Sequence, residues 1–313
     1  MRIALLSGLA GLGVACVCVL AACGSSGKSN FQSTDGGTTS DGDPFNPGDD
    51  AALTNDGIAP PPPGCSDAAK LVYLVSSQNA LYSFDPGSLV IKPIGQLDCQ
   101  VGFGVTPNSM AVDRNAKAYV NMSDGSLFTV NTSNAKCSPT GYQTGQLNRR
   151  IRGMGFSSNT SGGNAETLFT CTADDSIFSG GGLAKIDVNN YKLSLIGDYG
   201  DALAGSECEL TGTGDARLFG FFATLSPPKL SELAKTTGTG SGTTPLTVTT
   251  SSSYAFSFWG GDFWFYTADG LSNSKVTRYK YSSDKSFSVV VANTGMTVVG
   301  AGVSTCAPLT PPN

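Results

Sequence analysis

Three stretches of this chain share one 15-residue plan. LYSFDPGSLVIKPIG (81–95), LFTVNTSNAKCSPTG (127–141) and LAKIDVNNYKLSLIG (183–197) each begin with Leu and end with Gly. Each carries an apolar residue at its fourth position and Asp or Asn at its fifth. Apolar residues on alternate positions, a turn former, then a second run of strand-like residues describe a β-hairpin. Asp85, Asn131 and Asp187 sit at the same step of the unit, where the chain must reverse. Short polar side chains suit that position because they bond to the backbone of the turn they start. These residues therefore read as turn chemistry and not as a repeated active site.

Each hairpin follows another strand, and two further strand pairs occur downstream. The preceding strands begin near Leu71, Lys117, Glu166, Arg217 and Asp262, at intervals of 46, 49, 51 and 45 residues. A period of about 40–50 residues built of short strands and turns is that of a β-propeller blade. An inner strand is expected before each later unit, at Ser109, Arg152, Glu209 and Tyr254. SELAK (231–235) forms at most a short helical turn. The first blade lacks an inner strand. MTVVGAGVSTC (296–306) is left over at the other end, so it is expected to pair with Leu71–Val75 and close a five-bladed ring. Closure removes sheet edges that would invite aggregation. The hairpins resemble the repeat units of many exported bacterial propeller proteins, over roughly residues 71–305. That resemblance implies a fold and no activity. A two-sheet β-sandwich is the alternative architecture, and the regular period speaks against it.

The N-terminus reads MRIALLSGLAGLGVACVCVLAACGSSG, with one basic residue ahead of an uncharged apolar run. That is a signal-peptide pattern. Leu20-Ala21-Ala22-Cys23 resembles the lipobox of bacterial lipoproteins. The resemblance implies that residues 1–22 are removed, that Cys23 carries the lipid, and, through Gly24, sorting to the outer membrane, facing the periplasm or the cell surface. Residues 23–64 then read as a tether: Gly, Ser, Asp and Pro dominate, and too few large apolar residues are present to offset the entropy of ordering. The folded domain is expected over 65–313.

Six cysteines fall in that domain: Cys65, Cys99, Cys137, Cys171, Cys208 and Cys306. An even number in an exported chain suggests three disulfides, for which 15 pairings exist. Ring closure brings Cys65 to Cys306. Separations of 38 and 37 residues suggest Cys99–Cys137 and Cys171–Cys208.

Composition removes several kinds of chemistry. The chain has no His, so histidine-based triads and His-ligated zinc are excluded. Its net charge is −5; without Arg2, Lys28 and the six Asp of residues 24–64, 17 basic and 18 acidic residues remain, a net of about −1. The domain thus lacks the basic excess that a nucleic acid backbone requires.

The remaining candidates are local. Asp198, Asp201, Glu207 and Glu209 lie within 12 residues, do not recur in other units, and offer the oxygen ligands that Ca²⁺ takes. Asp124, Asp174, Asp175 and Asp269 occupy one phase of the repeat and read as turn residues. Arg149, Arg150 and Arg152 precede an inner strand, where a guanidinium can fork onto a ligand carboxylate or phosphate. Trp259 and Trp264 flank a Gly-Gly-Asp turn. Such rings usually fill the space between blades, with Trp259 the more exposed of the two and able to stack on a sugar. No cofactor is expected beyond a Ca²⁺ ion. The sequence favours a non-catalytic module that binds a protein or glycan. A Ca²⁺-dependent hydrolase or lyase using carboxylates, and a purely structural envelope protein, are the alternatives.

Overall fold

The computed structural model describes residues 65–174, 181–250 and 252–311, all within the second of two compact units, Ile58–Asn313. The signal, Cys23, the tether and Asp175 lie outside the described residues, as does the side chain of Asp201.

The strands are β1 (Val72–Ser76), β2 (Ala80–Asp85) and β3 (Val90–Gln96); β4 (Pro107–Val112), β5 (Lys117–Met122), β6 (Leu127–Asn131) and β7 (Cys137–Pro139); β8 (Arg149–Ser158), β9 (Glu166–Asp174), β10 (Gly182–Ile186) and β11 (Leu193–Gly197); β12 (Glu209–Gly212), β13 (Leu218–Phe222), β14 (Lys229–Leu233) and β15 (Gly240–Pro245); β16 (Ser253–Trp259), β17 (Asp262–Ala268), β18 (Lys275–Tyr279) and β19 (Phe287–Val291); and finally β20 (Val298–Val303). They form five antiparallel sheets of four strands. Blade 1 is completed by β20, which pairs with β1 in the register Val72↔Val303 to Val75↔Gly300. The ring therefore closes as the leftover C-terminal strand predicts. SELAK is not helical: its first three residues belong to β14. Ser231 and Glu232 find ladder partners in Gly220 and Phe219, and that pairing overrides local helix propensity.

The turns behave as the repeat implies. The side-chain oxygens of Asp85, Asn131 and Asp187 each accept the backbone N–H two residues on, at 2.8–3.0 Å, in Gly87, Ser133 and Asn189. Asp124 does the same for Ser126. These side-chain oxygens are spent on folding the chain back.

Both faces of each blade are apolar, because each is covered by a neighbouring blade. Along β17, Phe263 and Phe265 pack toward blade 4, while Trp264 and Tyr266 pack toward blade 1. Phe84 of blade 1 meets Trp264 edge-on at 5.8 Å. Five hydrophobic slabs result, one at every blade junction. Period-2 alternation thus feeds two cores instead of a core and solvent.

The inner strands β20, β4, β8, β12 and β16 pack side by side around the axis. They run in one direction: residues 153 to 157 of β8 climb alongside 208 to 212, and Gly300 and Gly302 lie beside Ser109 to Val112. The ends at which they begin and finish are called the entry and exit ends here. Close approach depends on missing side chains. A Cβ on Gly153 would sit 2.2 Å from the Cys208 carbonyl oxygen, and one on Gly300 would sit 2.9 Å from the Met110 nitrogen.

All three disulfides form as the sequence suggests: Cys65–Cys306, Cys99–Cys137 and Cys171–Cys208, with Cα–Cα distances of 5.6, 4.9 and 5.8 Å. The first bridges a separation of 241 residues at the point of ring closure. Cross-links spanning long loops restrict the unfolded chain most in the chain-entropy model.

Candidate functional site

The axis itself is filled. Glu209, at the start of β12, is 4% exposed and reaches across to β4, where Ser109 Oγ donates to its Oε2 at 2.7 Å. The Met154 N–H donates to the same Ser109 oxygen at 3.1 Å. One hydroxyl thus ties blades 2, 3 and 4 together. Burial pushes the Glu209 carboxyl well above the usual range; Ser109 opposes this and Glu207 adds to it. A neutral carboxyl is the form that a dry interior tolerates. The sequence pointed to Glu209 as an ion ligand, but its carboxyl is part of the plug.

Two of the others in the expected Ca²⁺ set, Glu207 and Asp198, are dispersed in role, and the Asp201 side chain lies outside the described residues. Glu207 Oε1 lies 3.4 Å from an Arg152 terminal nitrogen at the entry end. Asp198 is exposed. Among the described residues, no three carboxylates or thiols gather where they could hold one metal ion. The arginine cluster divides as well. Arg149 pairs with Asp174, its partner across the β8–β9 ladder, at 3.2 Å. Arg149 and Arg150 line a small cleft of about 150 Å³ with Tyr142 and Asp124. Arg152 stands at the entry mouth, its Nε buried with no partner among the described residues.

Trp259 is the more exposed of the two tryptophans, at 8% against 2% for Trp264, but both are buried, and the Trp259 indole N–H donates to the Lys70 carbonyl at 2.8 Å. The C-terminal segment covers the turn beside it, with the Gly260 N–H donating to the Pro308 carbonyl at 2.7 Å. That covering makes Trp259 a packing residue and leaves it no face for stacking on a sugar.

The open site lies at the exit end, between blades 2 and 3. A cavity of about 440 Å³ is lined by Asp113, Arg114, Lys117, Tyr119, Asn164 and Glu166 among others. Glu166 and Val188 also line an adjoining hollow of about 350 Å³ over blade 3, with Lys185, Asp187, Asn189 and Lys192. Glu166 and Val188 form a wall common to the two hollows, and the pair is the exit-end groove.

This groove is assembled around ring closure. Arg114, in the turn after β4, is buried. Its guanidinium donates to the Gly163 carbonyl at 3.3 Å, to Thr305 Oγ1 at 3.1 Å, to Asn164 Oδ1 at 3.3 Å and to the sulfur of Cys65 at 3.3 Å. Its backbone N–H donates to Glu166 Oε1 at 2.8 Å, and Thr305 Oγ1 donates to Glu166 Oε2 at 2.8 Å. Thr305 is the neighbour of Cys306. Closing strand, bridge and site are thus one structure. Burial pushes the Glu166 carboxyl up to about 7, with Asp113 adding to the rise; the Arg114 N–H, Thr305 and the Arg114 charge oppose it. Asp113 is occupied by its own turn, accepting the backbone N–H groups of Asn115 and Lys117 at 2.9 Å. Lys117 keeps 48% of its side chain exposed and lies 5.0 Å from the Tyr119 ring centre.

Sequence reasoning did not single out Arg114 or Glu166 as site residues. A signal was available in the repeat. DRNAK (113–117) and TGDAR (213–217) are equivalent turns of blades 2 and 4, and Arg114 stands where blade 4 has Gly214. A large charged residue replacing Gly in a repeated turn marks a place where the repeat is doing something else.

No protein-family model matches the chain, and no curated protein matches it. Several solved structures resemble it distantly. The Dos1 propeller aligns with a TM-score of 0.41 and 12% identity over 77% of this chain and 71% of that one. A Bacteroides caccae protein of unknown function gives 0.38 and 11% over 72% and 74%. The extracellular domain of a B. thetaiotaomicron protein, BT4673, assigned to the hybrid two-component systems, gives 0.37 and 14% over 73% of this chain and 28% of that one. The chain spans about a quarter of that last structure. Likeness at this level carries no argument about function, and the propeller assignment rests on the strand pairing itself.

Proposed function

We propose that this chain is a lipid-anchored envelope protein acting as a non-catalytic binding module, with its ligand held in the exit-end groove between blades 2 and 3. One observation carries the reading. At the axis the Glu209 carboxyl is buried against Ser109, whereas the groove leaves a partly buried carboxyl and exposed lysine side chains beside open space. A concave site with a few convergent polar groups on a rigid scaffold is where binding is expected.

The test places a photo-crosslinking residue at Asn189 or Lys185 in the groove, and at Leu271 on a distant turn, in cells carrying the full chain. Discrete adducts from the groove positions alone are expected. Adducts from all positions alike, or from none, would overturn the reading. The anchor is tested separately: Cys23→Ser should abolish incorporation of a labelled fatty acid and release the protein from membranes.

One observation favours a second reading. A carboxyl raised to about 7 in a cleft suits general acid–base chemistry, so Glu166 would serve a hydrolase or lyase. Asp113 and Asp187 are both engaged by their own turns, so neither is an uncommitted partner for Glu166 in that reading.

A further inference from the structure

The composition of the groove narrows its ligand. Its lining holds four basic residues, Arg114, Lys117, Lys185 and Lys192, against three acidic ones, Asp113, Glu166 and Asp187. The domain as a whole has 17 basic and 18 acidic residues, so the lining carries a small basic excess, with Lys117 itself 3.8 Å from Asp113. Two of the acids are committed to turns. Asp187 accepts the Asn189 N–H at 2.9 Å and its side-chain amide at 3.0 Å. Between the lysines lie Asn115, Asn164, Asn189, Asn190 and Ser194, groups that both donate and accept. Among the lining side chains, Tyr119, Phe156 and Leu168 are buried, and Val188 is half-buried. The groove has no deep apolar hole for a peptide anchor. It spans the ends of β9 and β10 and reaches Ser194 of β11.

The geometry points to an anionic saccharide, a chain of sugars bearing carboxylates, as the ligand of this groove. Lys117, Lys185 and Lys192 meet its charges, and Asn164 and Glu166 bond to its hydroxyls. The inference rests on the groove being the binding site proposed above. A saccharide suits a long, open, polar trough because its hydroxyls satisfy donors and acceptors alike. The flexible lysines follow carboxylates that recur along the chain as point charges.

Glu166 supplies a signature. It is faced by Asp113 and Arg114 from the β4–β5 turn, by Lys117 from β5, by the uncharged Asn164 and Thr305, and across the groove by Lys185, Asp187 and Lys192. Its carboxyl titrates near 7. The neutral form does not repel an anion, so a bound anion favours protonation. Binding should therefore tighten as pH falls through that value, over a range in which sugar carboxylates stay charged.

Calorimetry on the disulfide-bonded chain tests this with a galacturonate trimer, the neutral galactose trimer, inorganic phosphate and a tri-aspartate peptide. The uronate trimer alone should bind. Lys117→Gln and Lys185→Gln, both at the surface, should each weaken it by about fivefold, the scale of one partly screened charge contact. Wild-type affinity should rise between pH 8 and pH 6, and Glu166→Gln should bind with no such rise. Equal binding of the neutral trimer, equal binding of phosphate or of the acidic peptide, or no binding of the uronate would each overturn the inference. Crosslinks from Lys185 in the native envelope separate the two levels. If they persist while uronate fails, the groove is a binding site for another class; if both fail, the binding reading falls with it.

Discussion

Two carboxyls mark the two ends of the inner strands, and their surroundings differ in a way that assigns them different work. Glu209 is sealed at the axis with one hydroxyl donor, Ser109. Glu166 sits at the rim with two donors, next to a buried guanidinium and an open cavity. Burial raises both, Glu209 well above its ordinary value and Glu166 to about 7. Burial favours the protonated form of the sealed group, which links strands through Ser109. The rim group changes charge within the ordinary pH range and can be reached by a ligand. Burial alone does not make a site; burial next to accessible space does.

That contrast can be broken experimentally, starting where the effect is largest. Arg114→Met should strip four hydrogen bonds made by a buried guanidinium, one of them to the buried Thr305, and cost about 3 kcal/mol in urea unfolding. It should also push the Glu166 pKa higher, since the Arg114 charge holds it down. An unchanged midpoint would show that the guanidinium does not organise the exit end.

The second test follows stability with pH. The folded value of Glu166, about 7, lies above its unfolded one, so the native state holds a proton that the unfolded state releases. Stability from this group is therefore full below pH 4.5 and declines as pH rises to about 7, by at most on the order of 3 kcal/mol. Glu166→Gln should flatten that decline in thermal melts. Glu209→Gln should flatten it as well, because burial favours the neutral Glu209 carboxyl in the folded state while the unfolded chain ionises it over the same window.

Third, Glu209→Ala should cost about 2 kcal/mol by leaving Ser109 without its acceptor and a void at the axis, whereas Glu209→Gln should cost less than about 1 kcal/mol because amide and protonated acid have the same shape. Equal losses for the two would mean that Glu209 is charged at the axis. The smallest effect belongs to the entry mouth. Glu207→Gln breaks a partly exposed pair with Arg152 and should shift stability by no more than about 0.5 kcal/mol.

The sequence by itself determined the ring. Hairpin spacing depends on local facts: where alternation stops, where an Asp or Asn lets the chain turn, and how many residues a four-stranded sheet needs. Those facts also fixed the strand left over at the C-terminus, and with it the Cys65–Cys306 closure. The aromatic stretch around Trp264 was legible as blade packing for the same reason. Only the tertiary structure decided which charged residues face one another. Glu209 and Ser109 are 100 residues apart, and Arg114 and Thr305 are 191 apart. Nothing local tells a carboxyl whether it will meet solvent, a metal or a hydroxyl across the axis. The acidic run 198–209 looked like a cage because its members are close in sequence; folding turns Glu209 inward and sets Glu207 against Arg152. Trp259 looked exposed because it stands next to a turn, and the distant C-terminal segment covers it. Backbone pairing repeats along the chain and can be read from it. The meeting of side chains from different blades occurs only once the ring has closed.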